Sequence, residues 1–164
     1  MKSSAEYVAK IIFLNGGTLV GKTRLQKTAY FLEELSVGND ADFEYYYYGP
    51  YSEEVSIGVE DAVALNYIAT ELKNTKAGTE YAIFKSILDI KEDTCDVIRK
   101  DVLRILDQYD AVSIELAATA DFLKKNGFKE NPWDETSKRK PDKATKERIE
   151  KAQEIIDKLS YIRL

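Results

Sequence analysis

Apolar positions near the start of the chain recur at helical spacing. Tyr7, Val8, Ile11, Ile12 and Leu14 fall on one face, which predicts a helix over 3–14. Ser3-Ser4-Ala5-Glu6 opens it as a capping box, and Gly16-Gly17 stops it. Thr23-Arg24-Leu25-Gln26 reads as a second capping box. The stripe of Leu25, Ala29, Leu32 and Leu35 behind it predicts a helix over 23–36. Val37-Gly38-Asn39-Asp40 is a turn into a tyrosine-rich segment. Phe43 to Tyr48 reads as a strand, with Phe43, Tyr45 and Tyr47 on one face and Glu44, Tyr46 and Tyr48 on the other. Gly49-Pro50 breaks the strand, Ser52 caps a new helix, and Val55, Val59, Ala62 and Val63 carry its stripe through Leu65 to Asn66. Gly58 inside that helix suggests that another backbone comes close.

Residues 67–72 and 79–84 alternate as two strands around the polar turn Lys73 to Gly78, a β-hairpin. The rest is helical. Ile98, Val102, Ile105, Leu106 and Tyr109 mark one helix. Residues 110–125 are apolar on nearly every side, as a buried helix is. Lys129 to Lys140, with Asn131-Pro132-Trp133, reads as a polar loop before a last helix over 142–159. The predicted fold class is α+β and mostly helical. Its core is winged helix-turn-helix-like over 1–90, with a small antiparallel β-hairpin, and a helical part over 91–164 packs on it in one compact domain.

Composition narrows the chemistry. The chain has 164 residues, one cysteine, no histidine and a formal net charge of −5. No intrachain disulfide can form, and Ser-His-Asp triads, Cys-His pairs and histidine-held metals are unavailable. The four-residue apolar run Ile11 to Leu14 is too short for a signal core or a membrane span. A soluble, cytoplasmic protein is expected.

Four candidate sites emerge. Gly16-Gly17-Thr18-Leu19-Val20-Gly21-Lys22-Thr23 satisfies the P-loop pattern. A P-loop, however, follows a buried strand, and the segment before Gly16 reads as a helix. The nearest apolar run ending in Asp is Ser86-Ile87-Leu88-Asp89, which begins with a polar residue, and β-α-β alternation is missing. The expectation is a helix–helix loop capped by Thr23, and nucleotide binding at 16–23 ranks third among the functions considered.

The second candidate is the helix over 52–65, the groove-reading element of a helix-turn-helix. It carries Glu53, Glu54, Glu60 and Asp61 and no Lys or Arg, and carboxylates repel phosphates. Basic residues gather instead at Lys22, Arg24 and Lys27, the candidate nucleic-acid patch. They gather again at Lys138, Arg139, Lys140, Lys143, Lys146 and Arg148, which read as a solvated face. The third candidate is the tyrosine row, which could anchor a protein interface. At least half of its rings are expected in core or sheet packing, with Tyr51, placed in the turn, nearest a partner. Fourth, Glu53 with Glu60 and Glu54 with Asp61 stack two turns apart without further convergence. Asp93 and Asp96 oppose activation of the Cys95 thiol. No catalytic constellation, cofactor site or metal site is expected.

Leu25-Gln26-Lys27-Thr28-Ala29-Tyr30, followed by Tyr48-Gly49-Pro50-Tyr51-Ser52 leading into a helix, resembles the Panacea domain, the SocA-like antitoxin family also seen in phage-associated proteins. Glu130-Asn131-Pro132-Trp133 is similar to that family's terminal Pro-Trp. Thr28 stands where the family usually has leucine, and the last helix extends past the matching region. The resemblance implies a non-enzymatic domain that neutralises a partner toxin or serves as an adaptor. The expected partner is therefore a protein, possible contacts being Tyr48, Tyr51, Glu53, Glu54, Glu60 and Asp61. A DNA-binding regulator using Lys22, Arg24 and Lys27 is the alternative, and a homodimer is compatible with the sequence.

Overall fold

The computed structural model describes residues 2–162. In chain order the elements are α1 (Ser4–Leu14), β1 (Thr18–Val20), α2 (Lys22–Glu34), β2 (Glu44–Tyr46), β3 (Gly49–Tyr51), α3 (Glu53–Ala64), β4 (Ile68–Asn74) and β5 (Glu80–Ser86). Then come α4 (Asp96–Leu106), α5 (Ala111–Lys125), α6 (Pro132–Arg139) and α7 (Lys146–Ser160). The fold is α+β and mostly helical. A three-stranded antiparallel sheet has the order β1-β5-β4, and β2-β3 forms a separate two-stranded hairpin.

Local chemistry explains most of these boundaries. Ser3 Oγ accepts from the Glu6 amide at 3.1 Å, and Ser52 Oγ from the Val55 amide at 3.3 Å, so two of the three predicted N-terminal caps form. Asn66, with φ of 60°, takes the left-handed conformation just past α3. Gly58 sits where α3 crosses α1, and a Cβ there would lie 2.7 Å from the Ser4 carbonyl oxygen. The close backbone approach expected of that glycine is present.

Four expectations change. Residues 18–20 are a strand, not loop: Leu19 is buried and pairs with Phe84 of β5. Three residues between two glycines are too few to show alternation. Thr23 is not a cap, because α2 begins at Lys22 behind Gly21, with φ of 98° and no side-chain cap. Residues 132–139 form α6 rather than loop. Pro132 occupies its first turn, where a missing amide hydrogen is harmless, and its buried side is too polar to reveal the periodicity. The last helix begins at Lys146, where Thr145 Oγ1 caps the Arg148 amide at 3.3 Å.

One contiguous apolar core joins Ile11, Leu32 and Phe84 with Leu106, Ile114 and Ile155. Helix α5 is buried over Ile114, Leu116, Ala117, Ala118, Ala120 and Leu123, and it packs against α2, α6, α7 and β3. A buried ion cluster adds a polar staple. Lys10 Nζ of α1 donates to Asp93 and Asp96, both at 2.8 Å. Arg99 donates to Asp96 Oδ1 at 2.7 Å and to the Val37 carbonyl at 2.8 Å. Burial pushes the Asp96 carboxyl up. Hydrogen bonds from Lys10, the Asp93 amide and Arg99 outweigh it and hold Asp96 below the ordinary carboxylate range.

Candidate docking site at the tyrosine hairpin

The tyrosine segment does not run straight to Tyr48. Residues 44–46 form β2, Tyr47 and Tyr48 make a two-residue turn, and Gly49-Pro50-Tyr51 returns as β3, with Glu44 opposite Tyr51 and Tyr46 opposite Gly49. Tyr47 and Tyr48 keep negative φ, whereas Gly49 adopts φ of 89°. A left-handed glycine after an ordinary turn is what brings such a chain back into register. Pro50 is tolerated because the hairpin has only two strands, so β3 has a free edge.

The predicted alternation holds as far as Tyr46 and then fails. Phe43 packs edge-on against Tyr30 at 5.4 Å between centroids, and Tyr45 tilts against Phe122 at 6.1 Å. Tyr46, Tyr47 and Tyr48 are 52%, 82% and 56% exposed. Tyr45 thus packs on the core and Tyr46 on its cross-strand neighbour Tyr51, while the turn lifts Tyr47 and Tyr48 into solvent. Tyr51 is not in the turn. It is half-buried in β3 and stacks on Tyr46 at 5.0 Å with an interplanar angle of 23°.

Side chains from distant elements hold the hairpin. The Gln26 amide pairs both ways with the Ser52 backbone, donating to its carbonyl and accepting from its N–H, each at 2.9 Å. Lys27 Nζ donates to the Pro50 carbonyl at 2.7 Å, and Lys140 Nζ to the Tyr47 carbonyl at 3.3 Å. Lys143 lies over the Tyr48 ring at 4.6 Å, and Arg139 over Tyr45 at 4.8 Å.

These contacts correct the predicted basic patch. Lys27 is only 1% exposed and cannot meet phosphate from outside. Burial pushes its ammonium down to about 8, although Glu115 acts in the other direction, and Lys140 and Lys143 lower it further. Arg24 donates to the carbonyls of Leu106 at 2.9 Å and Tyr109 at 2.6 Å, satisfying acceptors at the end of α4. Lys22 alone of the three is exposed. Lys140 and Lys143, expected on a solvated face, reach the buried Glu115 carboxylate at 3.1 and 3.0 Å. The P-loop-like stretch is likewise pulled apart. Gly16 and Gly17 face a cleft beside Ser86 to Asp89, whereas Lys22 and Thr23 line clefts beside the hairpin.

The stacked pair Tyr46–Tyr51 is a wall with opposite charge on its two sides. On one side is a cleft of about 320 Å³ lined by Asp42, Glu44, Glu53 and Glu54 with the two rings. Among the described residues, no basic one lines it. Glu54 also accepts from the Asp42 amide at 3.1 Å, which ties the loop before β2 to the first turn of α3. On the other side a cavity of about 240 Å³ is bounded by Tyr46, Tyr47, Tyr48 and Tyr51 and floored by α2 at Lys22, Thr23, Gln26 and Lys27.

Of the residues picked out in the sequence, Glu53, Glu54 and Tyr51 meet at the acidic cleft, and Tyr48 stands on the other side of the wall. Glu60 and Asp61 are exposed farther along α3, beyond the exposed Ile57, and do not line it. Asp42, Glu44 and Tyr46 were missed as site residues, since only the hairpin's return brings them beside Glu53. Among the described residues no group of His, Cys, Asp and Glu converges to hold a metal. Among the same residues, no helix is long and apolar enough to cross a membrane.

No family model matches the chain. It is similar to the uncharacterized protein YwgA of Bacillus subtilis (strain 168), 26% identical over 163 residues that span 92% of this chain and 93% of the relative.

Proposed function

We propose that this chain is a non-enzymatic, cytoplasmic protein-binding module of the antitoxin type. In this reading it has a winged-helix-like core and belongs with the Panacea domains its motifs resemble. It docks a partner protein through the acidic cleft and the outer face of α3. The observation that supports this most is the cleft itself: four carboxylates surround a stacked tyrosine pair, with no basic residue in the lining among the described residues. Such a surface favours Lys and Arg side chains, which gain both ion pairing and a ring face. Ile57, 46% exposed on the same helix, supplies an apolar contact between the charges. The partner is therefore a basic protein, in keeping with occlusion of a toxin.

The test uses tagged full-length protein to identify a partner and then purified components to measure affinity. Reversing charge at Glu53, Glu54, Glu60 and Asp61 should weaken binding at least tenfold. Binding by the unmodified protein should also weaken with salt. Unchanged affinity in the reversed variant would sink the acidic-helix site. The alternative, DNA binding through Lys22, Arg24 and Lys27, loses support because Lys27 is buried and Arg24 is engaged by α4. A gel shift against the chain's own upstream DNA should show no complex even at low salt, where phosphate contacts are strongest.

A further inference from the structure

Among the described residues, the outer edge of β4 is the longest strand edge without a partner. We propose that β4 pairs antiparallel with β4 of a second copy of this chain, in a two-fold register centred on Leu72, joining the two sheets edge to edge. This surface is separate from the acidic cleft and does not rest on it.

Strands β1, β2 and β3 are 3 residues each. Strand β4 runs 7 residues in unbroken register with β5 and contains no Gly, Pro or bulge, the devices that usually blunt such an edge. Ile68 is only 1% exposed, which closes one end of it, whereas Leu72 is 57% exposed. The direction of the backbone groups follows from the ladder. The Ala82 carbonyl accepts from the Gly21 amide and the Ser86 amide donates to the Gly17 carbonyl, both at 2.8 Å, so the even-numbered residues of β5 face β1. Direction alternates along an antiparallel strand, so Tyr81, Ile83 and Lys85 bond to β4 through their partners Lys73, Glu71 and Ala69. The N–H and C=O groups of Thr70, Leu72 and Asn74 therefore point away from the sheet, and the hydrogen bonds of the described residues give them no partner. Such a row is the template on which another strand adds.

Charge complementarity selects a second copy as the added strand, and it selects the register. Outward-pointing residues must oppose one another, which leaves three two-fold registers over the exposed stretch. Centred on Glu71, the pairing sets glutamate against glutamate; centred on Lys73, it sets lysine against lysine. Like charges directly opposed repel. Centred on Leu72, it sets Glu71 of each copy against Lys73 of the other, at the positions between hydrogen-bonded pairs, where opposed side chains come closest. Glu71 already meets Lys85 at 2.8 Å on the same face, so these carboxylates lie among cations. The register also brings the two exposed Leu72 side chains together. Thr70 exchanges backbone bonds with Asn74 of the other copy and Leu72 with Leu72, so every outward group gains a partner. A seam this short falls below the area of permanent dimers, and the dimer forms reversibly with concentration.

Sedimentation of the full chain over a concentration series tests this. The average mass should rise reversibly from one chain toward two by about 1 mM. Leu72→Pro removes an N–H that the fold does not use, and it should weaken association about tenfold or more while the circular dichroism spectrum stays unchanged. Glu71→Lys should also weaken association, and adding Lys73→Glu to it should restore pairing. Crosslinking checks the register without relying on strand stability. Leu72→Cys in a Cys95→Ser background should oxidise to a disulfide-linked dimer, because directly opposed residues lie about 5.5 Å apart between Cα atoms. Thr70→Cys, opposite Asn74, should not. A parent chain that stays monomeric overturns the proposal and leaves the edge to a strand of another protein. Association that survives Leu72→Pro overturns it too, as does a charge swap that fails to restore pairing.

Discussion

Two glycines and one lysine are under constraints that their residue types alone do not reveal. A Cβ on Gly49 would lie 2.4 Å from Thr119 Oγ1 on a backbone with φ of 89°. Gly49→Ala should therefore destabilise the fold by about 2 kcal/mol in urea unfolding. In an open helix Gly58→Ala would gain about 1 kcal/mol of propensity. Here the new methyl meets the Ser4 backbone, so a net loss is expected. Lys27 predicts a pH effect. Its folded-state value of about 8 lies below the ordinary 10.5, so between these values the unfolded chain binds the extra proton. Stability from this group therefore rises with pH across that window, by up to about 1.4 kcal/mol per pH unit. Subtracting the pH–stability curve of Lys27→Met from that of the parent isolates the effect. A difference curve that is flat between pH 8 and 10 would refute it.

At the scale of elements, the hairpin β2–β3 is positioned by side chains that start elsewhere. Gln26→Ala removes both hydrogen bonds to Ser52 and leaves the buried Ser52 N–H unpaired, while the Ser52 carbonyl keeps the Ser56 amide. A loss of about 2 kcal/mol is expected, together with altered ring resonances at Tyr46 and Tyr51. The start of α4 is held by the Lys10–Asp93–Asp96–Arg99 cluster, and Asp96→Asn should cost about 3 kcal/mol, since it leaves buried cations under-paired. The Asp96 carboxyl is held below its ordinary value. Its stabilisation is thus complete above that value and is lost as pH falls through the folded-state one. The gap between parent and variant should accordingly close in strong acid. Long helices and caps were legible here because periodicity and Ser or Thr caps are local signals. Strand β1 and helix α6 were not: one is three residues long, and the other shows too little apolar periodicity.

At the scale of the whole molecule, one core includes both the part before residue 90 and the part after it. Trp133 fluorescence in α6 and backbone circular dichroism should therefore report one coincident unfolding transition. Two separated midpoints would show independent parts. The net charge of −5 conceals a division at the tyrosine wall, with carboxylates on one side and lysines on the other. No tally of charge along the chain reveals it, because Asp42 and Glu44 reach Glu53 and Glu54 only after the hairpin turns back. Lys27 likewise meets Lys140 and Lys143 across more than a hundred residues.

By itself the sequence determined the mostly helical α+β class, the first and third helices with their caps, the buried character of α5 and the β4–β5 hairpin. Each of these follows from contacts within a few residues, where spacing and hydrogen-bonding capacity suffice. Only the tertiary structure decided that Tyr47 and Tyr48 form a turn, that Lys27 and Arg24 serve backbone carbonyls, and that the tyrosine wall separates opposite charges. Those outcomes depend on which distant acceptor a long cationic side chain reaches and on where a left-handed glycine sends the chain. Neither is encoded in local spacing.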